Sequence, residues 1–134
     1  MADCIFCKLV AGQIPCHKVT EDAQTLAFMD IGQVNPGHVL VAVKPHHATL
    51  TDMDEDLAAA VMRTVHRVAQ TVKRELQPAG LTLLQANGAA GWQTVPHFHV
   101  HVLPRRHGDA PRLEWPPMNP PQEELAAMAR LLRC

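Results

Sequence analysis

Apolar positions along the 134-residue chain follow two periodicities. Leu57, Val61, Val65, Val68, Val72 and Leu76 recur every three or four positions, which lays one apolar stripe along a long helix. Thr51 or Asp52 is placed to cap that helix, and Pro78 and Gly80 to stop it. Elsewhere the apolar runs are short and β-rich. Residues 18–21 and 25–29, separated by the polar Asp22-Ala23-Gln24, read as a hairpin. The turn Asn35-Pro36-Gly37 leads into 38–43, the most apolar run, which suits the centre of a sheet. Residues 81–86 read as a further strand. The small residues of 87–91 then form a loop that lets backbone come close to a ligand. At the start, 4–10 reads as one or two helical turns ending at Gly12. After residue 103 the character changes, with prolines at 104, 111, 116, 117, 120 and 121. This predicts an ordered but irregular segment with Trp115 as its anchor. A closing helix follows over 122–133, with Leu125, Met128 and Leu131 or Leu132 on one face.

The run His97-Phe98-His99-Val100-His101-Val102-Leu103 carries the chemistry. Alternate residues of a strand point to opposite faces. As a strand, this run puts three imidazoles on one face and sends Phe98, Val100 and Val102 into the core. A helix would scatter the rings. Imidazole is the side chain whose ordinary pKa lies nearest neutrality. A row of three therefore suits metal binding, proton transfer or nucleophilic attack. Helix-breaking Pro96 and the polar Gln93-Thr94 lead into the row, as at the mouth of a site.

Composition narrows the class. A chain of this length holds one domain with a real core, 1–134. Apolar content of 47%, charged content of 19% and a net charge of −1 describe a globular protein without a basic face for nucleic acid. No apolar run reaches the roughly 18 residues of a membrane span, and Met1-Ala2-Asp3-Cys4 does not open a signal peptide. The reading is cytoplasmic. Four cysteines in a chain of this size do not suggest a secreted disulfide framework. Cys4 and Cys7 have the spacing of half a zinc site, or are two small buried hydrophobes. Cys16 and Cys134 read as free thiols, and His17, His66 and His107 as surface or helix-face residues. Neither a phosphate-binding Walker A loop nor a cluster of acidic metal ligands is present, so no catalytic metal is expected.

The triad run resembles the histidine-triad signature that names the HIT superfamily. Further blocks are similar in family order: Cys4-Ile5-Phe6-Cys7, Leu26 to Ile31, Gly37 to Val41, Lys44-Pro45-His46, Asn87-Gly88 and Gln93-Thr94-Val95. The likeness covers about 4–106, leaving the proline-rich segment and helix of 107–134 outside. The nearest branch is that of the small bacterial, Hint-type proteins. It implies an α+β fold: an antiparallel sheet of about five strands, one long helix and a C-terminal helix, paired in a homodimer. The implied activity is hydrolysis of nucleoside 5′-phosphoramidates or related nucleoside monophosphate conjugates, through a covalent nucleotidyl-histidine. The alternatives are a dinucleoside polyphosphate hydrolase and a purine-nucleotide-binding regulatory protein with incidental turnover. His101, where the uridylyltransferase branch has Gln, disfavours transfer to a sugar phosphate. A catalytic zinc held by the three histidines is the reading that ignores the family.

The resemblance also implies roles. His99 is the nucleophile, and His101 contacts the phosphoryl oxygens beside backbone amides of 93–95. His38 orients the site, and Thr94 assists the leaving group. Asp30 takes both ribose hydroxyls. Ile5, Phe6, Phe28 and Ile31, with Leu9 equally readable as core, form the apolar slot for the base. Asn87, Gln93 and Val95 contact phosphate or leaving group. Cys4, Cys7, His46 and His97 form a structural zinc site, with His46 preferred over His47 because it follows Lys44-Pro45. No side chain marks adenine over guanine. Two residues depart from the family pattern. Trp92 stands where a small residue, usually Gly, is common, and Pro96 where an aromatic is common. Both reshape the leaving-group side.

Overall fold

The structure is a computed structural model that describes residues 3–112 and 114–134. Its elements run α1 (Ile5–Val10), β1 (Lys18–Glu21), β2 (Thr25–Met29), β3 (Val39–Val43), α2 (Glu55–Leu76), β4 (Gly80–Leu84), β5 (His99–Arg105) and α3 (Gln122–Leu132). The five strands form one sheet in the order β1-β2-β3-β5-β4, with every neighbouring pair antiparallel. This is the expected α+β arrangement, and the most apolar strand lies at its centre.

All five residues of β3 are buried, because both faces of the sheet are covered there. Val39, Val41 and Val43 face α2 together with Phe98, Val100 and Val102. Leu40 and Ala42 face the other way, against Leu26, Phe28 and Phe6 of α1. The α2 stripe is buried from Leu57 to Val72, whereas Leu76 is 40% exposed. Leu76 meets the turn before β3 instead. Gly37 has φ +93°, and a Cβ there would overlap a Leu76 methyl and press on Pro104. A buried polar link joins the same two layers: Thr25 Oγ1 and Thr64 Oγ1 lie 2.7 Å apart. One hydroxyl donates to the other, which donates in turn to the Asp22 carboxylate, within 3.3 Å of both.

Several boundaries differ from the sequence expectation for local reasons. The cap of α2 is Asp54, whose carboxylate accepts the Leu57 N–H at 2.8 Å, and not Thr51 or Asp52. Those two residues are spent one turn earlier, where Asp52 accepts the Thr49 N–H to close a separate 3-10 turn. Before Pro78, Gln77 adopts φ +46° and ends the helix, since the proline ring disfavours the helical region for the residue before it. β3 starts at Val39 and β4 spans 80–84, as set by their pairing with β5. β5 itself runs to Arg105 and leaves His97 outside the ladder.

Trp115 is not the anchor of the proline-rich segment, being 74% exposed. Asp109 fills that role. It receives Arg105 Nε and Nη2 at 2.8 and 2.7 Å and Asn35 Nδ2 at 2.8 Å, while Arg105 also donates to the Pro111 carbonyl. α3 forms where expected, yet its face of Leu125, Met128, Leu131 and Leu132 is 47% to 76% exposed. Among the described residues, no helix is long and apolar enough to cross a membrane.

Candidate active site

The β5 ladder sets His99 opposite Ala42 and His101 opposite Leu40, on the face turned away from α2. The period-two expectation therefore holds for these imidazoles, whose centroids lie 5.0 Å apart. His97 is also fully buried but points to α1, with Nδ1 beside the sulfurs of Cys4 and Cys7. The three rings thus do not converge on a common point.

Fixed backbone groups assign the protons. His99 Nδ1 is 2.7 Å from the His97 carbonyl oxygen, which only accepts, so Nδ1 carries the hydrogen and Nε2 the lone pair. The Val34 N–H donates to His38 Nδ1 at 3.3 Å, which leaves the His38 proton on Nε2. That Nε2 lies 2.8 Å from His101 Nδ1. His101 Nδ1 must accept, and its own proton sits on Nε2. Asp30 Oδ2 stands 3.5 Å from His38 Nε2, and its Oδ1 accepts the Gly32 N–H.

Burial disfavours charge on all of these rings. It lowers His38, against the pull of the Asp30 carboxylate, and likewise lowers His99 and His97. In His101, burial reinforced by His99 and His38 brings the pKa down to about 4. The site presents neutral imidazoles at neutral pH: one aimed lone pair, and one aimed N–H. Phe6 locks the first of these, its ring meeting His99 edge-on at 4.9 Å and 82°.

A cavity of about 510 Å³ opens beside His99. Ile5, Phe6, Leu9, Phe28 and Ile31 line it, as do Asp30, Thr94 and Val95. Phe6 and Phe28 are its buried floor, whereas Ile31, 96% exposed, stands at the lip. The wall formed by Ile14, Pro15, Cys16 and His17 was not anticipated from sequence. These residues join α1 to β1, and no periodicity marks where such a connection lies. Cys16 and His17, read as a free thiol and a surface residue, also face the cavity.

Asn87 and Gln93 do not line the cavity; their amides build the loop beside it. Gln93 Oε1 accepts the Gly88 N–H at 2.7 Å, and Nε2 donates to the carbonyls of Ala48 and Val95. Asn87 Oδ1 accepts the Leu50 N–H. The Gln93 amide is spent on the Gly88 carbonyl, but among the described residues the amides of Thr94 and Val95 have no protein acceptor. Both residues line the cavity.

Cys4, Cys7, His46 and His97 each offer one donor atom, all within 4.8 Å of one another. Sγ lies 3.4 Å from Nδ1 for Cys4–His97, 3.3 Å for Cys7–His46 and 3.5 Å for Cys7–His97. Tetrahedral zinc, with bonds near 2.3 Å to sulfur and 2.0–2.1 Å to nitrogen, places such ligands about 3.5 Å apart. His97 Nε2–H donates to the Val43 carbonyl at 2.6 Å, which frees Nδ1 for a metal. The donor set fits zinc, with His46 and not His47 completing it. Asp30, His38 and His101 also cluster, but the His38–His101 hydrogen bond occupies two of their donor atoms.

The HIT domain family model matches residues 11–108, from the α1–β1 connection past the end of β5. Protein hit of Bacillus subtilis is 43% identical over 103 residues, covering 77% of this chain and 71% of that protein. Adenosine 5′-monophosphoramidase hnt1 of Schizosaccharomyces pombe is 36% identical over 128 residues, covering 93% and 92%. A HIT family protein structure from Bacillus anthracis matches with TM-score 0.93 at 38% identity, covering 97% of this chain and 94% of that chain. A Zn-bound histidine triad family protein from Mycobacterium smegmatis matches with TM-score 0.78 at 34% identity, covering 97% and 96%. With its triad strand, its sheet and most of its length shared in this way, the chain belongs to the HIT family.

Proposed function

We propose that this protein is a nucleotidyl hydrolase that cleaves nucleoside 5′-phosphoramidates, or related nucleoside monophosphate conjugates, through His99. The observation that carries the reading is the 2.7 Å hydrogen bond from His99 Nδ1–H to the His97 carbonyl, which leaves Nε2 with its lone pair beside the cavity. The relatives named as adenosine 5′-monophosphoramidases, in Schizosaccharomyces pombe and Candida albicans, support the substrate class.

The base enters the apolar slot over Phe6 and Phe28, and Asp30 accepts from the ribose hydroxyls. His99 Nε2 attacks the α-phosphorus and forms a P–N bond. The bond from phosphorus to the leaving amine breaks, and its electron pair departs with the amine, which gains a proton from solvent through the Thr94 hydroxyl. Negative charge on the phosphoryl oxygens meets fixed donors: His101 Nε2–H and the Thr94 and Val95 amides. His38 holds His101 in the donating tautomer. Water then attacks the phosphorus and gives a proton to solvent, the P–Nε2 bond breaks with its electron pair returning to Nε2, and the nucleoside monophosphate leaves.

Cys4, Cys7, His46 and His97 would hold a structural zinc. When bound, it ties α1, the wall of the slot, to the residue whose carbonyl orients the nucleophile. Pairing of two copies and a cytoplasmic setting belong to the same reading. The test is turnover of adenosine 5′-phosphoramidate and diadenosine tetraphosphate by wild type and His99→Ala, with and without chelator. The proposal expects loss of at least about 10³-fold in the variant and little early effect of chelator. An active His99→Ala defeats it, and binding without turnover by wild type makes the protein a nucleotide sensor.

A further inference from the structure

We propose that Trp92 sets the leaving-group specificity of this site by stacking on a flat aromatic ring in the departing group. The inference rests on the hydrolase reading and adds to it the class of substrate. Trp92 adopts φ +73° and ψ +17°, the left-handed region that glycine occupies freely and a bulky residue occupies at a cost. The indole does not compensate by joining the core, being 62% exposed. A strained backbone that presents a large aromatic side chain to solvent is the sign of a ligand contact rather than of a packing residue.

The position of Trp92 identifies which part of the substrate it meets. One residue, Gln93, separates it from Thr94, so their Cα atoms lie at most about 7 Å apart, within the reach of an indole. Thr94 lines the cavity together with His99. Displacement at phosphorus runs in line, so the leaving group departs on the side opposite His99. The apolar slot serves the nucleoside that stays, and what remains at the Thr94 side is the group that leaves. The mount is rigid. Trp92 N–H donates to the Ala89 carbonyl at 3.0 Å and Gln93 N–H to the Gly88 carbonyl at 3.1 Å. The Gln93 side chain pins the same loop to Gly88 and Ala48. A backbone held this way leaves only the two side-chain torsions of the indole to be fixed when a ring stacks on it. The aromatic ring has two chemical sources: the second base of a dinucleoside polyphosphate, or an aryl amine in a phosphoramidate.

The experiment compares kcat/KM of wild type, Trp92→Gly and Trp92→Phe on three substrates: adenosine 5′-(N-benzyl)phosphoramidate, its N-cyclohexylmethyl counterpart, and diadenosine tetraphosphate. The ratio of benzyl to cyclohexylmethyl substrate falls about tenfold in Trp92→Gly and is largely restored in Trp92→Phe. A fall on diadenosine tetraphosphate relative to the cyclohexylmethyl substrate, with the benzyl ratio unmoved, also supports the proposal and names the nucleobase as the ring. Unchanged ratios in Trp92→Gly overturn it and leave the hydrolase reading intact. Equal losses on all three, with a lowered melting temperature, make Trp92 structural and overturn it. If wild type turns over none of them, the hydrolase reading itself has failed, and this inference with it.

Discussion

His38 Nε2 faces His101 Nδ1 across 2.8 Å, and the Val34 amide on the far side of His38 gives that contact its direction. One backbone N–H, through two rings, makes the outermost nitrogen of His101 a donor. Replacing His38 with Ala removes the donor that holds this tautomer. We expect kcat on adenosine 5′-phosphoramidate to fall about 10–100-fold with a smaller change in KM. An unchanged kcat means that the proton arrangement is not used.

The same pair predicts a pH profile. His101 accepts a hydrogen bond at Nδ1, so a proton arriving there breaks the relay. Its pKa is depressed to about 4, by burial first and by His99 and His38 after that. Burial also holds His99 and His38 below the ordinary imidazole value, so turnover should persist as pH drops through about 6.5, and the part that depends on the His101 donor should be lost as pH falls through about 4. Stability follows the same sign: the unfolded imidazole takes its proton near pH 6.5, so stability from this group is full above 6.5 and declines between 6.5 and 4. Pre-steady-state rates, read before any acid unfolding, separate the two. A rate that falls with a midpoint near 6.5 contradicts the assignment.

Asp22 offers a test of the fold alone. Burial raises its carboxyl, but hydrogen bonds from the Gln24 and Thr25 amides and from the Thr25 and Thr64 hydroxyls outweigh this and set it at about 2. Its side chain is 43% exposed and paired to an exposed Arg67, so the stabilisation comes mainly from the buried Thr25–Thr64 pair, one hydroxyl of which loses its acceptor on its removal. Asp22→Ala should cost about 1–2 kcal/mol by urea unfolding at pH 7. The depressed pKa keeps that difference in full above about pH 4 and loses it as pH falls through about 2. A gap that widens toward acid pH contradicts this account.

Zinc content is directly measurable. We expect about one zinc per chain in purified wild type and little in a Cys4→Ser/Cys7→Ser variant. The variant's melting temperature should fall by several degrees, because a ligand that binds only the folded state stabilises it. Equal metal content in both proteins removes the site.

Gly37→Ala should destabilise by about 1–3 kcal/mol, since it meets both a left-handed φ and the Leu76 methyl. Adding Leu76→Ala relieves the overlap but not the backbone, so part of the loss should persist. Full recovery would place the whole effect in side-chain packing.

What could be read in the sequence was what has a period or a motif. The three-and-four spacing from Leu57 to Val72 located the long helix, and the alternation through 97–103 separated the chemical face of β5 from its core face. Competition among neighbours was harder to read. Thr51 and Asp52 are good caps, but the preceding turn uses them first, and Asp54 takes the helix. Trp115 looked like an anchor by size alone, while Asp109 holds the segment because two donors of Arg105 and one from the distant Asn35 meet it. The Ile14–His17 wall and the structural use of the Gln93 amide depend on contacts between distant residues, which no local pattern encodes.

Every second side chain from Phe98 to Val102 belongs to the interior, and the imidazoles fill the positions between them. Inserting or deleting one residue just upstream would exchange the two sets wholesale, carrying imidazoles under α2 and valines to the cavity side. The approach to His99 is therefore held to a fixed parity, a constraint that α3, outside the sheet, does not share.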